Sequence, residues 1–282
     1  ICFLEAQNTW VTSYSCTLNG QGAATFSART AFVIDNNGNK WIGFNSGYIR
    51  PYELIRFNGT AWDSFPHVPS HKINALTVDA LNNLWIGTDS GLVMYNGSSY
   101  TIYNTGNSGI ASNVINCIAT GGGNIYAGTN AGLSVFNGGS FTNYNNALNG
   151  LSHDMIYSIT YENPTAIWLG NSGGLEKFNG STFMFDSLGS NGSDKINCIY
   201  IDQLGNKWLG TEAHGAVKYD NNAFYTMPQL FGFYAIISAL WPLKTKSICK
   251  GPNGGVSYKL NYNSNSGAGL IEIYSGNRYN LY

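Results

Sequence analysis

One short pattern recurs along the chain and limits what it can fold into. Lys40-Trp41-Ile42-Gly43, Leu84-Trp85-Ile86-Gly87, Ile125-Tyr126-Ala127-Gly128, Ile167-Trp168-Leu169-Gly170 and Lys207-Trp208-Leu209-Gly210 put an aromatic residue at positions 41, 85, 126, 168 and 208. The steps between them are 44, 41, 42 and 40 residues. A near-fixed period of this size marks a repeat architecture, in which each unit buries its apolar faces against its neighbours.

Every copy has the same order of parts. An apolar run comes first, as in Ile73-Asn74-Ala75-Leu76-Thr77-Val78, Ile115-Asn116-Cys117-Ile118, Ile156-Tyr157-Ser158-Ile159 and Ile196-Asn197-Cys198-Ile199. A polar turn follows, such as Asp35-Asn36-Asn37-Gly38-Asn39 or Asp202-Gln203-Leu204-Gly205-Asn206. Then come the Trp-Ile-Gly run, a tight turn, and a third run such as Gly91-Leu92-Val93-Met94-Tyr95. The runs are short and rich in Ile, Val, Tyr, Phe and Trp, which predicts strands. Asn58-Gly59, Asn96-Gly97, Asn137-Gly138 and Asn179-Gly180 separate the third run from a last aromatic one. Asn-Gly accepts positive φ at both central positions, so type I′ hairpins are expected there.

Each repeat is therefore expected to be four antiparallel strands. The chain as a whole is predicted to be an all-β propeller of six four-stranded antiparallel blades, or of seven with one incomplete. Trp in the second strand would fill the gap between blades, and the glycine after it would allow a close backbone approach. Five blades are placed at about 31–65 (with an insertion at 48–52), 73–104, 115–145, 156–187 and 196–227. The sixth is degenerate, with 235–240 expected as its first strand and 246–251 in the Trp-Ile-Gly position. Residues 1–7 read as the remnant of a secretory signal peptide, leaving 8–282 as one propeller domain. Within it, 8–14 matches a last blade strand and is expected to close the ring.

Composition narrows the function classes. Charged residues make up 10% of the chain and the formal net charge is −1, so neither nucleic acid nor an anionic membrane is an expected partner. The most apolar stretch, 227–243, is too short and too interrupted by Pro and Gly to span a bilayer. Cys117 and Cys198 fall at the same place in two repeats that are not neighbours, which argues for buried, unbridged thiols. The Asn-x-Ser/Thr sequons at Asn58, Asn96 and Asn179 are by-products of the Asn-Gly turns.

The chain resembles the two-component regulator propeller repeat family. The resemblance rests on Ile201-Asp202-Gln203-Leu204-Gly205-Asn206-Lys207-Trp208-Leu209-Gly210-Thr211 and on residues 79–97, which follow the family's Asp-x-x-Gly-Asn, Leu-Trp-Ile-Gly-Thr, Gly-Leu, Asn/Asp-Gly order. It covers about 30–227 closely and the rest loosely. It implies a propeller in a secreted or periplasmic bacterial protein, in many members the sensor domain of a hybrid two-component system that detects glycan fragments. It carries no general catalytic motif.

In a propeller, the turns between second and third strands and the loops between blades gather on one face around the central channel. That face is expected to hold His71, Asp89, Asn130, Asp154, Tyr157, Asn171, Asp194, Glu212 and His214 as ligand-binding residues, with Asn45, Asn113, His153 and Trp241 nearby. Asn and Asp offer hydrogen bonds to a polyhydroxylated ligand, and Tyr157 or Trp241 a face for a sugar ring. Glu212 and His214 break the pattern of their turn; such a couple suits general acid–base work, or with Asp194 a divalent ion. The leading expectation is a non-catalytic, cofactor-free, extracytoplasmic binding or sensing propeller for an oligosaccharide, another small polar ligand or a protein partner. The alternatives are a lyase-type propeller enzyme with a Glu/His face and a divalent metal, and a structural module of a larger surface protein.

Overall fold

The computed structural model describes residues 30–44, 53–65, 68, 72–186 and 194–226, and the backbone of strands at 244–250, 256–261, 268–273 and 279–281. Six four-stranded sheets run through these residues, each with its strands in chain order and each pair antiparallel. The first holds β1 (Thr30–Ile34), β2 (Lys40–Phe44), β3 (Leu54–Phe57) and β4 (Trp62–Phe65). The second holds β5 (Ile73–Val78), β6 (Leu84–Thr88), β7 (Leu92–Tyr95) and β8 (Tyr100–Tyr103). The third holds β9 (Ile115–Gly121), β10 (Asn124–Thr129), β11 (Gly132–Phe136) and β12 (Phe141–Tyr144). After a single helical turn, α1 (Asn146–Asn149), come β13 (Ile156–Asn163), β14 (Ala166–Asn171), β15 (Leu175–Phe178) and β16 (Phe183–Asp186). The fifth holds β17 (Ile196–Ile201), β18 (Lys207–Thr211), β19 (Ala216–Tyr219) and β20 (Phe224–Thr226). The sixth holds β21 (Lys244–Lys250), β22 (Val256–Asn261), β23 (Ala268–Ile273) and β24 (Tyr279–Leu281).

The sixth sheet corrects one expectation. Residues 246–250 belong to its first strand, not its second, because β21 leads the sheet and pairs Lys244 with Asn261 on β22. Without a Trp-Ile-Gly run the sequence offered no landmark for register, so the reading slipped by one strand. The segments 1–7, 8–14 and 235–240 lie outside the described residues.

First strands pack on first strands in succession, β1 on β5, β5 on β9, β9 on β13, β13 on β17 and β17 on β21. Among the described residues the core is accordingly divided into four clusters, one at each seam from the first sheet to the fifth. Trp41 and Leu54 meet Ile73 and Ile86, and Trp85 and Leu92 meet Ile115 and Ile118. Tyr126 and Leu133 meet Ile156 and Ile159, and Trp168 and Leu175 meet Ile196 and Leu209.

The recurring glycine has a specific reason. A Cβ on Gly43, Gly87, Gly128 or Gly170 would lie 2.4, 2.8, 2.8 or 2.7 Å from Cγ2 of Ile73, Ile115, Ile156 or Ile196. Each is the first isoleucine of the next sheet. The close approach is thus made by a neighbouring side chain, and any side chain at the glycine would push the two sheets apart.

The recurring Trp is tied down by the acidic residue six positions before it. Trp41, Trp85 and Trp208 donate from Nε1 to Asp35, Asp79 and Asp202 at 2.9, 2.9 and 2.8 Å, and Trp168 donates to Glu162 at 2.7 Å. The other oxygen of each Asp accepts two backbone N–H groups of its own turn, as Asp202 does from Leu204 and Asn206. One carboxylate therefore shapes the turn and orients the indole. Between the fourth and fifth sheets, buried Lys207 donates to Glu162, Gly205 O and Asn221 and lies over the Trp168 ring.

The Asn-Gly hairpins differ from expectation. Positive φ occurs at Gly59, Gly97, Gly138 and Gly180 (99°, 96°, 95° and 99°) and not at the asparagines. The Asn is the flanking residue, and its Oδ1 accepts the backbone N–H groups two and three residues on, 2.8 to 3.0 Å away. Glycine at the first central position is the type II′ arrangement.

Two predictions follow from these contacts. Gly87→Ala should cost about 1–3 kcal/mol by overpacking the second seam, read as a lower urea midpoint at unchanged slope; an unchanged midpoint would refute the seam's tightness. For Asp35 and Asp202, burial pulls the pKa up, but hydrogen bonds from Trp41 and Asn39, and from Asn206 and Trp208, outweigh it and leave each below 3.8. A folded pKa below the unfolded one contributes stability that is present above the unfolded value and is lost as pH falls through the folded one. Asp202→Asn should therefore lower stability at neutral pH, and the gap to the parent should close as pH drops below about 4. A gap that persists in acid would mean the carboxylate's charge contributes nothing.

Candidate functional site

The second residue of four first strands has a special place. Pairing between first and second strands slips at Asn74, Asn116, Tyr157 and Asn197, so each is the extra residue of a β-bulge. The backbone slips likewise at Lys246. A bulge re-aims its side chain out of the sheet's alternation. Here it turns four polar or aromatic side chains to the edge where first strands begin and second strands end. Asn74 Nδ2 donates to Ile115 O at 3.0 Å and Asn116 Nδ2 to Ile156 O at 3.1 Å, each reaching the next sheet's first residue. Asn116 also donates to Asn130 Oδ1 at 2.9 Å, and Asn197 to Glu212 Oε2 at 3.2 Å. At Tyr157 the pattern changes, and Lys195 Nζ sits 3.8 Å from the centre of its ring. These residues form an inner rim from the second sheet to the fifth.

Above the rim in the fifth sheet, Asp194 organises the turn after β18. It is 4% exposed, and it accepts the backbone N–H groups of Ala213 at 2.8 Å and His214 at 3.2 Å. His214 Nδ1 lies 2.5 Å from Asp194 Oδ2. That contact turns the Nδ1 edge of the ring to the carboxylate and leaves Nε2 on the far side. The backbone N–H of Glu212, in the same turn, donates to Lys195 O at 2.9 Å and so links the turn to the loop that carries Asp194. The unit presents a half-buried imidazole and a half-buried carboxylate on one short turn.

The fourth sheet departs from the others. Where Thr88, Thr129 and Thr211 donate to the carbonyl of a turn glycine, this sheet has Asn171. Asn171 is fully buried. Its amide donates to Ser152 Oγ at 2.8 Å and Glu176 Oε2 at 2.9 Å, and its Oδ1 accepts from Gly173 and Gly174. Glu176, 1% exposed, also accepts Ser152 N at 3.0 Å and Ser152 Oγ at 2.8 Å. Burial pushes the Glu176 carboxyl above its ordinary value, against the lowering effect of these bonds and of His153.

The expected residues thus separate. Tyr157, Asn130, Glu212 and His214 lie on the rim or the turns beside it. Asn171 and Asp194 are buried inside their loops, and both direct their polar atoms to the chain itself. Asp154 accepts the backbone N–H of Asn146 at 2.6 Å and anchors α1. Asp89 bonds Ser90 and stands 4.0 Å from Lys72, at the second sheet. Asn113 accepts Thr105 N within its own loop. The expected face of Tyr157 for sugar stacking is covered on one side by Lys195. His71, Asn45 and Trp241 lie outside the described residues.

Sequence reading missed Asn74, Asn116, Asn197, Lys195 and Glu176. The asparagines had a signal, a polar residue at the same second place in otherwise apolar runs. So did Glu176, a charge where other sheets have Val93, Ser134 and Val217. Cys117 and Cys198 are not bridged, as expected, but both are half-buried where full burial was expected; desolvation still pushes the Cys117 thiol up. Among the described residues no group of three or more His, Cys, Asp and Glu side chains is placed to hold a metal ion, and no helix is long and apolar enough to cross a membrane.

No family model and no curated protein matches the sequence. Solved structures do. The extracellular domain described as that of the hybrid two-component system BT3049 of B. thetaiotaomicron has a TM-score of 0.67 at 20% identity, over 88% of this chain and 34% of that one. The corresponding domain of BT4673, described as a one-component system, gives 0.67 at 18% identity, over 95% and 34%. A streptogramin B lyase gives 0.70 at 14% identity, over 96% and 85%.

The chain is a β-propeller. Its resemblance to the two-component regulator propellers agrees with the extracellular domains among its structural neighbours, while the lyase shares the same fold. The chain spans about a third of the length of those extracellular domains. Its sheets are propeller blades, and the rim is the inner edge of one propeller face.

Glu176 generates a testable pH effect. Its folded pKa is raised, so its contribution to stability is present below the unfolded pKa and is lost as pH rises through the folded one. Relative to Glu176→Gln, the parent protein should lose stability as pH climbs from about 4 to neutrality. Paired urea titrations check this, and a constant difference would show that the carboxyl titrates as it does in the unfolded chain.

Proposed function

We propose that this propeller is a non-catalytic, extracytoplasmic binding module that takes a small polar ligand, with an oligosaccharide as the leading class, at the inner rim of blades three to five. The observation that carries the reading is the repeated bulge, which sets Asn116, Tyr157 and Asn197 at one structural position in consecutive blades. Repetition of an interactive side chain around a channel suits a ligand with repeated hydroxyl groups, and amides supply donors and acceptors together. Lys195, Asn130, Glu212 and His214 border the same rim and are proposed as contacts. The extracellular placement of similarly folded sensor domains supports an extracytoplasmic role. A protein partner in place of a sugar remains within this reading, since a protein of similar fold, YCF48, is described as bound to a peptide.

A second reading has its own observation. His214 is oriented by buried Asp194 and shares a turn with Glu212, an arrangement suited to proton transfer. Two proteins with this fold are lyases, the streptogramin B lyase and the virginiamycin B lyase of Staphylococcus aureus. On this reading the turn after β18 is a catalytic face that works with a divalent ion taken from solution.

Thermal unfolding of the purified chain against neutral and acidic oligosaccharides, with and without divalent metal and EDTA, separates the two. Binding to the native state raises the midpoint by mass action. The binding reading expects a metal-independent rise with a subset of sugars, abolished by Tyr157→Ala and weakened by Glu212→Ala. A shift that needs metal, together with turnover lost in His214→Ala, would move the assignment to the enzyme. A midpoint indifferent to every sugar and metal would reject the sugar ligand and the metal-dependent enzyme alike.

A further inference from the structure

We infer that the blade-tip hairpins are covalent modification sites, at which Asn58, Asn96, Asn137 and Asn179 convert spontaneously to aspartate and isoaspartate in the folded protein. All four asparagines and the glycines after them are exposed. In each turn Oδ1 is held by two backbone N–H groups, for Asn96 those of Ser98 and Ser99 at 3.0 and 2.9 Å. Asn96 N donates to Ser99 O at 3.2 Å and closes the hairpin. None of these bonds, which build the turn, uses the glycine N–H.

The chemistry follows from that placement. The Gly97 nitrogen attacks Asn96 Cγ, a C–N bond forms, and negative charge gathers on Oδ1. Two N–H donors already point at that oxygen, which is the arrangement that stabilises a tetrahedral oxyanion. The Cγ–Nδ2 bond then breaks, and ammonia leaves with the proton from the glycine nitrogen. The resulting succinimide adds solvent water at either carbonyl and opens to Asp or isoAsp. The net change is one water consumed and one ammonia released at each site.

The same fold displays the product and a contrast. Blade five has Asp220 in the equivalent place, and its carboxylate accepts Asn222 N and Ala223 N at 3.0 and 2.9 Å. The hairpin therefore accepts an aspartate with its bonds intact. Asn37-Gly38 has the same dipeptide and is also exposed. There the would-be nucleophile is occupied, because Gly38 N donates to Asp35 O at 2.9 Å and Asn37 N to Asp35 Oδ1. Each conversion at a hairpin would add a negative charge at the outer end of a blade, away from the inner rim.

Peptide mapping by mass spectrometry over a time course at mildly alkaline pH, on native protein and on protein held in urea, tests this. In the native protein the four hairpin asparagines should convert several-fold faster than Asn37, and in urea the five should converge on similar rates. Native conversion at Asn37 as fast as at the hairpins would overturn the proposal. So would hairpins that stay intact in the native protein over a period in which the urea sample converts.

Discussion

Blade-to-blade packing depends on one repeated contact, the first isoleucine of a blade seated on a side-chain-free glycine of the blade before. With Ile73 on Gly43, Ile115 on Gly87, Ile156 on Gly128 and Ile196 on Gly170, four seams share the same closest point. That contact brings the neighbouring sheet near enough for the indole one turn of the pattern away to be buried. It also sets the first strands side by side, so that Asn74 and Asn116 can reach the carbonyl of the next blade's first residue. The inner rim is therefore a consequence of the seam. A rim made this way is shared by several blades.

The acidic residue before each Trp supplies the complementary constraint at the opposite end of the blade. It fixes the indole that fills the seam, and where it is Asp35, Asp79 or Asp202 it also closes the turn between first and second strands. In blade four Glu162 replaces the usual Asp and is joined by buried Lys207 from blade five. The longer side chain and the added cation arise together at the seam beneath the most irregular part of the rim, where Tyr157 and Lys195 replace the asparagine pattern. Blades four and five thus combine the polar substitutions of both faces.

Much of the fold was legible because its signals repeat. Trp-Ile-Gly, the Asp-led turns and the Asn-Gly hairpins each recur, and a repeated error is improbable. Where the repeat weakens, as before β21, register was misjudged by a strand. The hairpin type was also misjudged, because Asn-Gly fits either the central pair or a flank followed by a centre; the side-chain bonds from Asn58, Asn96, Asn137 and Asn179 decide it. At the rim, the residue types alone could not tell an exposed side chain from one turned inward. Asn171 and Asp194 look like ligand residues by type and lie buried because their own loops need acceptors and donors. Asn116 and Asn197 sit inside strand patterns, where the recurring polar second residue is the one mark a bulge leaves in the local sequence.

The central claim is that the inner rim of blades three to five is where this propeller meets its ligand. Side-chain amide and aromatic NMR signals, followed while a neutral and acidic oligosaccharide panel is titrated in, test it residue by residue. The account expects Asn116, Asn130, Asn197 and Tyr157 to shift together and saturably with one sugar class, while Asn36 and Asn82 on the opposite face stay still. Shifts confined to that opposite face, or to the hairpin asparagines at the blade tips, would contradict it.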